Sequence, residues 1–436
     1  MDRRQFLIGL GAASAVGVVG LAGCGTDEET PGTEPTTTGE GPVEGGAGGT
    51  VGVFTWWAEG SEKLGLDELE SLFKEKYPNN TFENLAVAGG AGSNAKAKLA
   101  ADLQNGNPPD SFQGHAGAEL MDYIDADQIV PVNDVIEELG GASVFPQNLL
   151  DRITIDGDIY SVPSNVHRAN VVWANPKVLA DAGAAEVPAD LDSWISDMQK
   201  VKDSGVETPI TIGGTWTQVH LFETILMAEL GVDEYNGLFT GGSWDSDGVK
   251  SAVSKYAQII EFANTASDGD DWPAATDAVI EGRAAYNVMG DWAVAQFASK
   301  DQVDGEDYTY FPVPGSDGVF DFLADSFTLP NGAPNPEGAK DWLRLVGSAE
   351  GQLAFNLAKG SIPARTDVAA DEFPAYQQSA MESFGADAIA SSIAHGAAVN
   401  MAWLSEISTA MSKFYSGREE ETLVSDLVAA AETYGA

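Results

Sequence analysis

Hydrophobic and polar positions change period several times along this chain, and each change marks a different element. Residues 50–57, "TVGVFTWW", alternate as a strand does; "LDELESLFKEKYP" then repeats Leu66, Leu69, Leu72 and Phe73 at helical spacing until Pro78. "TFENLAVA" reads as a second strand, "NAKAKLAADLQNG" as a helix stopped by Gly106, and "DSFQGHAG" as a third strand with its exit loop. Strands alternating with helices predict parallel βαβ units, which bind ligands beyond the carboxyl ends of their strands. Trp56, Trp57, Gln113 and His115 all fall at such ends. "NVVWANPKVLADAG" opens a second αβ set, followed by helices around "LDSWISDMQKVKDSG" and "HLFETILMAEL". The carboxy-terminal third reads as mainly helical, with Ala-rich amphipathic runs such as "AKDWLRLVGSAEGQLAFN" and "LVSDLVAAAETYG". No internal repeat is visible.

The amino terminus has a different grammar. Arg3 and Arg4 precede an apolar run from Phe6 to Gly23, the layout of a twin-arginine export signal. Leu21-Ala22-Gly23-Cys24 reads as a lipobox, with cleavage before Cys24 leaving a thiol to carry a lipid. A membrane-spanning anchor is the alternative, but the run is Gly- and Ala-rich, barely long enough to span, and stops at the cysteine. Residues 25–49, rich in Thr, Gly, Pro and acids, read as a flexible tether after the signal of residues 1–24.

Composition narrows the function. The 436 residues suggest two or three domains, and 67 acidic against 22 basic side chains give a formal charge of −45. Such a chain repels nucleic acid and anionic headgroups. Aromatic content of 9% with apolar segments throughout argues for a folded body under an acidic surface, as suits a halophilic host. Cys24 is the single cysteine, so no intramolecular disulfide and no CxxC zinc or redox arrangement exists.

Catalytic signatures are missing: there is no HExxH, Walker A or GxSxG, and no two of the four histidines sit at metal-ligand spacing within a helix turn. No metal or cofactor is expected. Gly90 to Ala95 matches the GxGxxA dinucleotide fingerprint, yet Gln113 and His115 stand where the ribose-binding acid belongs, and a glycine-assisted turn with Asn94 near the helix start is the plainer reading. Adjacent tryptophans in a strand point to opposite faces, so one of Trp56 and Trp57 can pack inward while the other lines a surface. Sugars present apolar C–H faces rimmed by hydroxyls, so a sugar site needs aromatic platforms with carboxylates, amides and charged donors. The chain supplies that set in "TWWAEGSE", "FQGHAG", "GGTWTQVH", "VMGDWA", "LADSF", "AKGSIPAR" and "IAHGA".

With these stretches read, the chain resembles the glucose/mannose-binding proteins of ABC-type sugar importers. The resemblance is carried by "AVAGGAGSNAKAKL", "NPPDSFQGHAG", "SVPSNVHRANVVW", "AYNVMGDWA", "DSFTLP", "DWLRLVGSAEGQ" and "KGSIPAR". It implies an α/β, two-lobed, type II periplasmic-binding-protein fold, each lobe a sheet flanked by helices. Residues 50–163 with about 328–360 would form one lobe, and 164–327 with about 361–436 the other. The chain would cross near Val162 to Val166, return around Ser326 to Pro330, and cross again after Lys359. Trp56 and Trp57 would then give the stacking face, Glu62 would accept from hydroxyls, and Gln113 and His115 would line the same edge. Trp216, Asp291 and Trp292 would enclose the ligand from the opposite lobe, while Asp325, Lys359 and His395 pair with hydroxyls. The spacing between Glu59 and Glu62 is one residue longer than in the family, so either glutamate can face the cleft. Asp291 and Asp325 also read as helix caps or surface acids, and His395 as a core histidine; His167 and His220 read as structural. The implied partners are a monosaccharide, a membrane permease and the membrane itself through a lipid on Cys24, with a monomeric body outside the cell. A secreted glycoside hydrolase, with Asp291 and Asp325 as acid and base, is the competing class.

Overall fold

The computed structural model describes residues 45–88, 92–265 and 271–435. The export signal, Cys24 and most of the expected tether lie outside them, as do Gly90 and Ala91 of the glycine turn. The end of the expected tether is hydrogen-bonded to the body: the Ala47 amide donates to Asp341 at 2.8 Å, and the Asn79 amide to the Gly45 carbonyl at 2.9 Å.

The first alternating run forms strand Gly49–Phe54, and the helical spacing after it forms helix Gly60–Lys76, which buries Leu66, Leu69 and Phe73 completely. Each such burial contributes roughly 1.5–3 kcal/mol before the entropy of ordering is set against it. Strands Asn80–Asn84 and Ser111–His115 flank Gly49–Phe54 in parallel. Strand Asp325–Pro330 then joins antiparallel beside Ser111–His115, with Asp325 opposite His115. Ser161–Pro163 and Ile129–Val130 pair with that same late strand. In this sheet the parallel order read from the sequence therefore holds for three strands only. Asp325–Pro330 returns from a distant part of the chain rather than through a βαβ crossover, so no helix dictates its direction.

In the second lobe Val171–Ala174 lies antiparallel between Tyr286–Val288 and Thr309–Pro312, with Ile210–Thr211 parallel at one edge. A smaller sheet sets Val319–Leu323 between His167–Arg168 and Ala388–Ser391. The Ala-rich run of residues 339–356 is two helices, Pro336–Val346 and Ala349–Lys359, because Ser348 accepts from the Gly351 amide at 3.0 Å and caps a new start.

Two buried apolar clusters follow: one runs from the first sheet onto one face of Val171–Ala174 through Val171 and Trp173, and the other packs on the opposite face through Val172 and Ala174. Between the two sheets three segments run side by side. The Ser164 amide donates to the Asp325 carbonyl at 2.9 Å, the Asp325 amide to Asn165 at 2.8 Å, and Val166 bridges Ile362. The result is a two-lobed α/β body whose connections pass through one narrow band.

Candidate ligand-binding site

Strand Gly49–Phe54 ends one residue before Thr55, so strand alternation does not govern the tryptophans that follow. Both Trp56 and Trp57 line a cavity between the lobes. Trp57 is fully buried and packs on Phe355 and Phe327, with ring centroids 4.8 and 5.6 Å away. Trp56 leans on Gly92, where φ is +90° and a Cβ would sit 2.9 Å from the indole, so only glycine leaves the ring its place.

Glu62, on the first turn of helix Gly60–Lys76, lines the cavity with His115 and Lys359 of the same lobe. Glu59 precedes that helix and is exposed, which resolves the choice between the two glutamates. Trp216, Trp272, Trp292 and His395 contribute from the second lobe, and His167, Leu323 and Asp325 from the crossing band. Asp271 caps the helix that begins at Trp272 by accepting from the Trp272 amide at 2.8 Å, which fixes that indole at a helix start.

Two expected residues stand one layer behind. Gln113 donates to Asp325 at 2.8 Å and accepts from the Thr55 hydroxyl and the Trp56 amide, so its amide orients the wall rather than lining the space. Asp291 is bonded to His167 Nδ1 and accepts from the Arg168 amide at 3.0 Å. His167, read as structural from the sequence, instead lines the cavity with Trp272 and Leu323. Its only local signal is its place in "SVPSNVHRANVVW"; Trp272 has the Trp-Pro pair of a helix start, and Leu323 has none.

The charged groups are arranged in chains. His167 bridges two carboxylates, with Nδ1 to Asp291 and Nε2 to Asp325 at 3.1 Å. Burial pushes its pKa down, but the two carboxylates more than offset that and hold it above the ordinary histidine value. Asp325 also accepts from Asn165 at 2.9 Å; burial pushes it up, while the hydrogen bond and charge of His167 bring it well below the usual carboxylate range. His115 contacts Glu119 at 2.8 Å, and Lys96 reaches the same oxygen at 2.8 Å. Burial acts upward on Glu119, yet Lys96 and His115 bring it down to about 2. Lys359 donates to Glu62 at 2.6 Å and lies 5.5 Å over the Trp57 ring. Gly360, at φ +89°, ends its helix where a Cβ would meet the Asp291 carbonyl at 3.0 Å.

Three buried polar atoms on the cavity wall have no partner: the indole N–H of Trp57, that of Trp216, and Nε2 of His395. The Ser392 hydroxyl donates to Glu223 at 2.8 Å and lies 2.7 Å from His395 Nδ1, so Nδ1 carries the imidazole proton and Nε2 offers a lone pair. Burial holds His395 neutral, well below the ordinary histidine value. Donors and acceptors thus alternate around aromatic faces. This arrangement suits a small neutral molecule with several hydroxyls.

The sequence model of the family described as Bacterial extracellular solute-binding protein matches residues 47–353. The chain belongs to that family. An uncharacterized ABC transporter extracellular-binding protein of Pyrococcus horikoshii is 33% identical over 434 residues, 98% of this chain and 96% of the relative. A probable sugar-binding periplasmic protein of Rhizobium meliloti is 30% identical over 88% of this chain and 93% of its own. A xylose/arabinose-binding protein of Haloferax volcanii is 28% identical over 87% and 83%. Among solved structures, a chitin oligosaccharide binding protein superposes with a TM-score of 0.78 at 19% identity, covering 89% of this chain and all of that one. At that identity the likeness speaks for the two-lobed fold. As an extracellular solute-binding protein the chain is a binding protein, not an enzyme, and the hydrolase reading falls. The carboxylates agree: Asp325 is held low rather than raised as a general acid needs, and Asp291 is engaged by His167 and a backbone amide.

Proposed function

We propose that this protein is the extracellular sugar-binding component of an ABC importer, that its cavity takes one monosaccharide, glucose or a similar hexose, and that it hands this sugar to a membrane permease. The observation that carries the reading is the meeting, on one small cavity, of five indoles with unpaired buried donors and an acceptor beside Asp325, Glu62 and Lys359. Indole faces suit the C–H face of a pyranose, and the fixed polar groups suit its hydroxyl rim. The xylose/arabinose name of the Haloferax relative makes pentoses the natural competitors, distinguished by the missing hydroxymethyl group.

Binding works by closure: a sugar held by groups of both lobes favours the closed state in proportion to the contacts it makes only there. The protein is held outside the cell by a lipid on Cys24 after twin-arginine export, and its carboxylate-rich surface serves a host with molar internal salt. Calorimetric titration in molar KCl with glucose, mannose, galactose, xylose and arabinose tests the reading. We expect saturable heat with one hexose at micromolar affinity or better and at least tenfold weaker binding of the pentoses. Absence of heat with every sugar overturns it. Melting temperature should rise between 0.1 and 2 M KCl; a flat response rejects the halophilic part alone.

A further inference from the structure

Behind the second-lobe wall lies a cluster that the sugar cavity does not use. His220 and Glu223, one turn apart on helix Thr215–Gly237, face Asp321 in strand Val319–Leu323, and one ligand-type atom of each lies within 4.8 Å of the others. All three residues are fully buried. Glu223 is held by the Ser392 hydroxyl and the amides of Ile393 and Ala394, at 2.8, 2.5 and 2.8 Å. Asp321 has no such support: no amide or hydroxyl donates to its carboxyl oxygens, and the polar group beside them is the carboxyl of Glu223. The guanidinium of Arg168, on the neighbouring strand, is committed to Asn170, the Val319 carbonyl and Asp387. Two ionised carboxylates removed from water cost several kcal/mol each, so this pair must hold either a proton or a cation between them.

The histidine supplies the complementary feature. His220 Nε2 donates to the Ala169 carbonyl at 2.8 Å, which leaves Nδ1 as the lone-pair nitrogen, and Nδ1 is buried without a partner. Metal-bound histidines are oriented in this way, with the second ring nitrogen donating to a carbonyl. The Ala169 amide in turn donates to the Asp321 carbonyl at 2.9 Å, so the orienting residue is tied to the second candidate ligand.

We propose that His220 Nδ1, Glu223 and Asp321 hold one divalent cation of the manganese or zinc type. One imidazole nitrogen with two carboxylates fits those ions, whereas calcium and magnesium take all-oxygen sets. The ion would join the helix to the strand and, through Glu223 and Ser392, to the loop that carries His395. His220 also stacks on Trp216, with centroids 6.1 Å apart and planes at 13°, so the ion stiffens the aromatic wall from behind. A proton shared by Glu223 and Asp321 is the rival occupant.

The test uses the purified full chain in molar KCl, which screens the surface acids. After EDTA treatment, Mn2+ or Zn2+ alone is titrated, excess is removed by dialysis, and metal is counted by elemental analysis. One ion per chain should remain, with a rise of several degrees in melting temperature; Asp321→Asn and Glu223→Gln should retain under a tenth as much and show no rise. Pulsed paramagnetic resonance of the Mn2+ form should show coupling to one imidazole nitrogen, a readout that needs no variant. Equal retention by wild type and variants, no retained ion, or no nitrogen coupling overturns the proposal and leaves the shared proton. Since no sugar is added, a failed sugar assignment does not affect the outcome.

Discussion

The two walls of the cavity are both aromatic, yet they are electrically unlike. On the first-lobe wall each indole carries an ammonium group, Lys96 at 5.1 Å over Trp56 and Lys359 at 5.5 Å over Trp57, and each of those lysines is paired with a glutamate. On the second-lobe wall the indoles pack on imidazoles instead: Trp292 lies 5.3 Å from His395 and 6.2 Å from His220, with His167 of the crossing band edge-on and 5.1 Å away. Burial holds His220 and His395 neutral, with His220 pushed down to about 4, whereas the carboxylates hold His167 above the ordinary value. The first wall therefore carries fixed charges, and the second, away from His167 at the band, is a neutral surface. On the function proposed above, the contrast assigns orientation of the sugar to one lobe and apolar contact to the other.

The hardest blow to that division falls on Asp325, which stands where the walls meet. Asp325→Ala strips partners from Gln113, Asn165 and His167 together. It should weaken sugar binding at least a hundredfold, about 2.7 kcal/mol, and cost ~3 kcal/mol of stability because buried partners are orphaned. Calorimetry and urea unfolding measure the two losses. Trp292→Ala attacks the neutral wall and should lower affinity at least tenfold, about 1.4 kcal/mol. Unchanged calorimetric affinity would mean that the sugar face does not rest there.

Acidity separates the walls more gently. Glu119 has a folded pKa below its unfolded value, so its contribution is full above pH 4.5 and is lost as pH falls toward about 2. His167 has a folded pKa above its unfolded value of 6.5, so its contribution is full below pH 6.5 and is lost as pH rises through the folded value. Melting temperature should therefore fall on both sides of a plateau, and Glu119→Gln should flatten only the acid limb. The smallest effect is expected from Glu62→Gln, because Glu62 is 23% exposed and water screens its pair with Lys359. A two- to fivefold loss of affinity, up to about 1 kcal/mol, would be seen in the same titration.

Much of this was legible in residue order. The βα rhythm of residues 50–115 predicts strands whose carboxyl ends carry Trp56, Trp57, Gln113 and His115, and three of those four candidate side chains reach the cavity wall. Gln113 does not, because a long amide beside a buried aspartate finds its partners before it reaches open space. Asp325 meets His115 through an antiparallel register that no local pattern encodes. His167 sits on a two-residue strand, too short for any periodicity to show which way its ring points. The break at Ser348 was readable as a cap, but the surrounding apolar spacing continues through it and hides the boundary.

The imidazole of His167 joins a carboxylate beside the second-lobe indoles to one in the first sheet, across the band where the lobes hinge. Any swing of one half against the other must lengthen that line, and the ring nitrogens would register it at once. A single 15N-labelled histidine is thus a built-in strain gauge: its two resonances should shift together on sugar addition, reporting the motion of the whole molecule from its pivot.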